Sequence, residues 1–153
     1  MLKVGDKAPN FHLKSDEGKD VSLKDFQGRP VLIYFYPRAS TPGCTVEACE
    51  FRDLRPKFEK LGVLVLGIST DTEKALTHFK NKQKLNFPLL SDPDHSVIEA
   101  YGVWQRKKFM GRSFLGTVRS TFLVGTDGKI EKIWNRVKVK GHAAAVLLAS
   151  GGK

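Results

Sequence analysis

Val31-Leu32-Ile33-Tyr34-Phe35-Tyr36-Pro37-Arg38-Ala39-Ser40-Thr41-Pro42-Gly43-Cys44-Thr45-Val46-Glu47-Ala48-Cys49 reads as a strand, a turn and the start of a helix. Val31 to Tyr36 is a continuous apolar run stopped by Pro37, the pattern of a strand covered on both faces. Thr41 suits an N-cap and Pro42 the first helical position. Cys44 then falls in the first turn, where free backbone N–H groups and the positive helix end favour an anion. A thiolate is such an anion, so the placement favours a reactive thiol. The segment follows the C-terminal end of a buried strand, where open α/β sheets place their sites.

Outward from this stretch the chain alternates. The helix is predicted from about Thr41 to Leu61, with a kink or break at Pro56. Before it, Phe11 to Leu23 carries a turn cluster at Asp16-Glu17-Gly18 between two short strand-like pieces, so a hairpin is expected. After it come a buried strand at Val63 to Ile68, a helix near Thr72 to Lys84 and a short strand at Phe87 to Leu90. Ser96 to Tyr101 reads as a short helix capped by Asp94. Ser120 to Val124 and Lys129 to Trp134 flank Thr126-Asp127-Gly128, a hairpin signal. His142 to Ser150 reads as a terminal helix. Strand–helix–strand units require crossovers and give parallel pairs, and the late hairpin adds an antiparallel edge. The expectation is one α/β domain over residues 1–153: a mixed central sheet flanked by helices, thioredoxin-like, with an N-terminal β-hairpin.

Composition narrows the class. The chain has 153 residues, a formal net charge of +10 and two cysteines. No apolar run approaches the length of a membrane span, and Met1 to Asp6 shows no signal-peptide pattern. A cytoplasmic protein without membrane attachment is therefore expected. In a reducing compartment two close cysteines point to catalysis or metal binding more than to a structural staple. Each can also be read as a small core residue. Two thiols supply two of the four ligands of a zinc site, and no close histidine pair completes the set.

The string Pro37-x-x-x-Thr41-x-x-Cys44-x-x-Glu47 resembles the active-site signature of the peroxiredoxins. The longer Thr41-Pro42-Gly43-Cys44-Thr45-Val46-Glu47-Ala48-Cys49-x-Phe51-Arg52-Asp53 is similar to the bacterioferritin comigratory protein, or peroxiredoxin Q, branch. The likeness continues through Gly5-Asp6-x-Ala8-Pro9-x-Phe11, Gly67-Ile68-Ser69, Phe87-Pro88-Leu89-Leu90-Ser91-Asp92 and Tyr101-Gly102-Val103. It ends with Arg119-Ser120-Thr121-Phe122-Leu123-Val124 and Asp127-Gly128-Lys129-Ile130. The resemblance implies a thiol peroxidase that reduces hydrogen peroxide and organic hydroperoxides. Cys44 would be the peroxidatic nucleophile and would pass through a sulfenic acid. Cys49 would be the resolving thiol and would close an intrachain disulfide, so a monomer suffices. Thr41 would hydrogen-bond the peroxide, Arg119 would stabilise the thiolate and orient the substrate, and Pro37 would shield the thiolate from water. Glu47 would brace the arginine. No metal, flavin or haem is implied. The external reductant would be thioredoxin or a glutaredoxin-like dithiol protein.

Two departures concern the mouth of the site. Arg38-Ala39-Ser40 replaces a segment that is often more polar or acidic, and Arg106 to Arg112 is unusually basic. Two rival readings stand beside the peroxidase. A thiol–disulfide oxidoreductase would carry Cys-x-x-Cys, which is absent. A nucleic-acid module would account for the charge, but the basic residues are spread along the chain without a recognition motif.

Overall fold

The structure, a computed structural model, describes residues 2–151. Of the domain expected over 1–153, Met1, Gly152 and Lys153 lie outside the described residues. The chain runs through β1 (His12–Ser15), β2 (Asp20–Ser22), a 3-10 turn at Leu23–Phe26, β3 (Val31–Phe35), α1 (Pro42–Lys60) and β4 (Leu64–Ser69). There follow α2 (Glu73–Gln83), β5 (Leu89–Ser91), α3 (Ser96–Ala100), β6 (Trp104–Phe109) and β7 (Arg112–Thr117). The chain continues through β8 (Ser120–Val124), β9 (Ile130–Trp134) and α4 (His142–Ala149).

Seven strands form one sheet in the order β2-β1-β5-β4-β3-β8-β9. The pairs β3–β4 and β4–β5 are parallel, as the crossovers through α1 and α2 require. Strands β8 and β9 add the antiparallel edge foreseen from Thr126-Asp127-Gly128. The N-terminal hairpin β1–β2 joins the other edge through β5. Central strand β3 is buried at all five positions. Its alternate side chains divide between two cores. Leu32, Tyr34 and Tyr36 pack with residues of α1, α2 and α4, while Val31, Ile33 and Phe35 pack with Val97 and Ile98 of α3. This is the thioredoxin-like arrangement the alternation predicted.

Three expectations require correction. Helix α1 does not break at Pro56; it continues to Lys60. Proline lacks the N–H that would bond the carbonyl four residues back. That carbonyl, Arg52 O, instead accepts a 3.2 Å bond from Asn86 Nδ2. A side chain beyond α2 thus satisfies the group the proline leaves free. At α3 the N-cap position is His95, not Asp94. The Asp94 carboxylate takes the Ser96 N–H, and Asp92 takes that of Ile98.

The third correction is the hairpin β6–β7, a separate two-stranded sheet where the sequence shows only a basic stretch. Its turn, Met110-Gly111, has positive φ at both residues, 51° and 77°, as a tight two-residue hairpin requires. Met-Gly is not the usual signal for such a turn, and four consecutive polar residues, Gln105 to Lys108, conceal the alternation.

Candidate active site

The site begins where β3 stops. Tyr36 is buried, Pro37 is half-buried, and the chain turns through Ser40, which holds a left-handed φ of 64°. An aspartate from the next crossover supports this turn. Asp71 Oδ2 accepts from the Ala39 N–H at 2.7 Å and from Ser69 Oγ at 2.7 Å. Ser91 Oγ in turn bonds the Asp71 carbonyl at 2.5 Å. The ends of β3, β4 and β5 are thereby joined under the loop.

Thr41 is extended, and Pro42 opens α1. Thr41 therefore occupies the N-cap position, but its side chain caps nothing. Its hydroxyl donates to Arg38 O at 2.8 Å, leaving the oxygen lone pairs as acceptors.

Cys44, the third residue of α1, is 2 % exposed. Its Sγ receives a 3.3 Å hydrogen bond from Arg119 Nη2. Gly43 makes this approach possible, because a Cβ there would lie 3.3 Å from the same nitrogen. The other arm of the guanidinium, Nη1, donates to Glu47 Oε1 at 2.6 Å. Cys44 and Glu47 are three residues apart on one helix and share a face, so one planar fork can serve both. Glu47 is 1 % exposed, and its Oε2 has no partner. Burial pushes its pKa up to about 7, with Arg119 acting in the opposite direction.

Sequence reasoning brought Cys44, Glu47 and Arg119 to one site, and the structure joins them by direct hydrogen bonds. It places Thr41 and Pro37 in the loop that leads to them. Cys49 lies elsewhere. Its Sγ is 3.6 Å from Gln83 Oε1 at the end of α2, and both cysteines are free thiols.

Other residues of the site went unrecognised in the sequence. Asp71 is one, visible only as the end of a strand. His142 is another, at the start of α4, where Nε2 pairs with Thr121 Oγ1 at 2.8 Å. Desolvation, aided by Arg119, lowers its pKa to about 4, so the ring is neutral at pH 7. Beside Arg119 opens a cavity of about 600 Å³ lined by Arg106, Lys107, Lys108, Arg119, Arg136 and two valines. Five cations and no carboxylate line it, three of them from the basic Arg106–Arg112 stretch, so the cavity next to the site is strongly positive. Among the described residues, no group of three His, Cys, Asp or Glu side chains is placed to hold a metal ion, and no helix is long and apolar enough to cross a membrane.

Comparison with known proteins adds to this geometry. A family model described as the AhpC/TSA family matches residues 4–133. The chain is 52% identical over 146 residues to Peroxiredoxin Bcp of Escherichia coli strain K12, covering 95% of this chain and 94% of that protein. The solved structure of the Xanthomonas campestris bacterioferritin comigratory protein, described with alkyl peroxide reduction activity, superposes with a TM-score of 0.88. The two sequences are 41% identical, and the match covers 92% of this chain and 90% of that one. PrxQ of Xylella fastidiosa superposes with a TM-score of 0.93 at 36% identity, over 97% and 95% of the two chains.

Proposed function

Because the chain belongs to the AhpC/TSA family and is a peroxiredoxin of the Bcp and PrxQ kind, we propose that Cys44 is its peroxidatic thiol and Cys49 its resolving thiol. The observation that carries this reading is the guanidinium of Arg119, which holds Cys44 Sγ with one nitrogen and Glu47 with the other. A cation in contact with sulfur at a helix N-terminus stabilises the thiolate, the form that attacks.

In the proposed cycle the Cys44 thiolate attacks the distal oxygen of a hydroperoxide. The O–O bond breaks, sulfur is oxidised to the sulfenic acid, and the leaving oxygen departs with a proton as water or an alcohol. Charge that develops on that oxygen meets the Arg119 guanidinium and the N–H groups of the first turn. Thr41, whose hydroxyl hydrogen is engaged with Arg38, accepts a hydrogen bond from the bound peroxide. Pro37 shields the thiolate. The Cys49 thiol then displaces water from the sulfenic acid to form an intrachain disulfide. A dithiol protein, thioredoxin or glutaredoxin-like, exchanges with that disulfide and returns both thiols. The cycle draws on no metal, flavin or haem. Hydrogen peroxide and organic hydroperoxides are the proposed substrates. Closure within one chain suits a monomer, and a thiol-based cycle suits the cytoplasm.

The test is peroxide turnover driven by thioredoxin, thioredoxin reductase and NADPH. Cys44→Ser is expected to abolish it. Cys49→Ser is expected to allow one sulfenic acid to form without an intrachain disulfide, as read by mass spectrometry. Substantial turnover by Cys44→Ser would overturn the assignment.

A further inference from the structure

Hairpin β6–β7 brings one more charge to the site. Lys107 lies on β6, is half-buried, and donates from Nζ to the Thr117 carbonyl at 2.9 Å. Thr117 is two residues before Arg119, and the intervening Val118 N–H bonds Val103 O at 2.8 Å. The segment leading into the catalytic arginine is thus fastened on both sides. Space for Lys107 is made by Gly116, where a Cβ would stand 3.2 Å from Lys107 Cδ. Lys107 and Arg119 line the same cavity. Among the described residues Lys107 has no ion-pair partner. Arg119 has Glu47 as its counter-ion, which leaves Lys107 as the cation of the two without one, free to act on an anion in the site.

We infer that Lys107 is a positioning residue of the peroxide site: it fixes the segment that carries Arg119 and adds a second positive charge within electrostatic reach of Cys44. The inference rests on the reading of Cys44 as the peroxidatic thiol. Burial and Arg119 lower the Lys107 pKa, while Cys44 acts in the opposite direction. The other groups around the pair are Arg106 and Lys108 on β6, Arg136 beyond β9, Glu47 on α1, His142 at the start of α4, and the phenols of Tyr34 and Tyr36 at β3. All of these remain in the variants below, so a change in pH profile reports Lys107.

The experiment is the single-turnover rate of Cys44 with hydrogen peroxide, followed from pH 5 to 9. Lys107→Met keeps the apolar stem and removes the charge. It is expected to slow the reaction about fivefold near neutral pH, as loss of one charge in a partly dry site implies. The rise of rate with pH should move to higher pH, so the deficit shrinks in alkali. Lys107→Arg should restore most of the loss. Gly116→Ala, which presses on the lysine stem without altering charge, should shift the profile in the same direction. Lys132→Met removes an exposed charge from β9 and should leave the profile unchanged. An unaltered profile in Lys107→Met overturns the inference. So does a loss that is equal at every pH and not rescued by arginine, because that marks a scaffold role alone. If Cys44→Ser still turns over peroxide, the underlying reading fails instead, which separates the two failures.

Discussion

Arg119 reaches Cys44 across 75 positions of sequence, and its two terminal nitrogens serve two different groups. Arg119→Ala should slow peroxide reaction by about a hundredfold or more, the usual loss when a donor to developing negative charge is removed. Arg119→Lys should recover only part, because a single ammonium cannot span both Cys44 and Glu47. Stopped-flow rates at pH 7 decide this, and a wild-type rate in Arg119→Ala would remove the residue from the site. The two buried titratable groups here oppose each other. Glu47 has its pKa raised from 4.5 to about 7 by burial, so the folded state retains a proton that the unfolded chain releases. Its contribution to stability is full below about pH 4.5 and is lost as pH rises towards 7. His142 has its pKa lowered from 6.5 to about 4 by desolvation. Its contribution is full above about pH 6.5 and is lost as pH falls towards 4. Glu47→Gln should therefore unmask a stability that climbs with pH between about 4 and 6.5. Urea midpoints across that range test it, and wild-type and variant curves that run parallel would refute the pairing.

Helix α1 carries both thiols, and an intact helix keeps them apart. Five residues rise about 7.5 Å and turn about 140° beyond one full turn, which separates the Cα atoms by roughly 8.7 Å. A disulfide needs about 6.8 Å or less. Cys44 faces Arg119, whereas Cys49 faces Gln83, so direction is wrong as well as distance. The proposed disulfide therefore requires local unwinding of α1, which costs far less than global unfolding. Hydrogen exchange from Cys44 to Asp53 should accelerate on oxidation while β3 and β4 stay protected. A Cys44–Cys49 disulfide within a fully protected helix would contradict this. The far end of the unwinding segment is held by Arg52 and Asn86, through Arg52 Nη1 to Gln83 O at 2.7 Å and Asn86 Nδ2 to Arg52 O. Asn86→Ala should cost about 1 kcal/mol of stability and speed disulfide closure, measured by mass spectrometry after a peroxide pulse. Local signals made β3, the Thr41–Pro42 helix start and the β8–β9 hairpin legible in the sequence. Arg119 was legible only through resemblance, because nothing local marks a charge before a strand as catalytic. Asp71, Asn86, His142 and Lys107 act through contacts that only the fold creates, and charge hid the β6–β7 strands.

At the scale of the molecule, five of the 26 lysines and arginines line the cavity beside Arg119, with no carboxylate among its lining residues. Reduction by an acidic dithiol protein should slow as salt rises, since rim charges act mainly on association rate and are screened at about 8–10 Å in physiological salt. A salt-independent rate would detach the basic face from reductant encounter. The exposed tip Phe109 and Met110 lies on the same hairpin. Glu47 shares α1 with both thiols, while Arg119 lies outside that helix, just before β8. When α1 loosens in the proposed cycle, the sulfur and the brace of the arginine leave together, and the pocket proposed for the peroxide is dismantled until the helix rewinds. In the proposed cycle each sulfenic acid therefore stands at a fork in time: either the helix lets go first and the sulfur is safe in a disulfide, or a second oxidant arrives first and carries it irreversibly to the sulfinic acid. On this cycle, the firmness of one helix end sets how severe an oxidative burst the molecule survives.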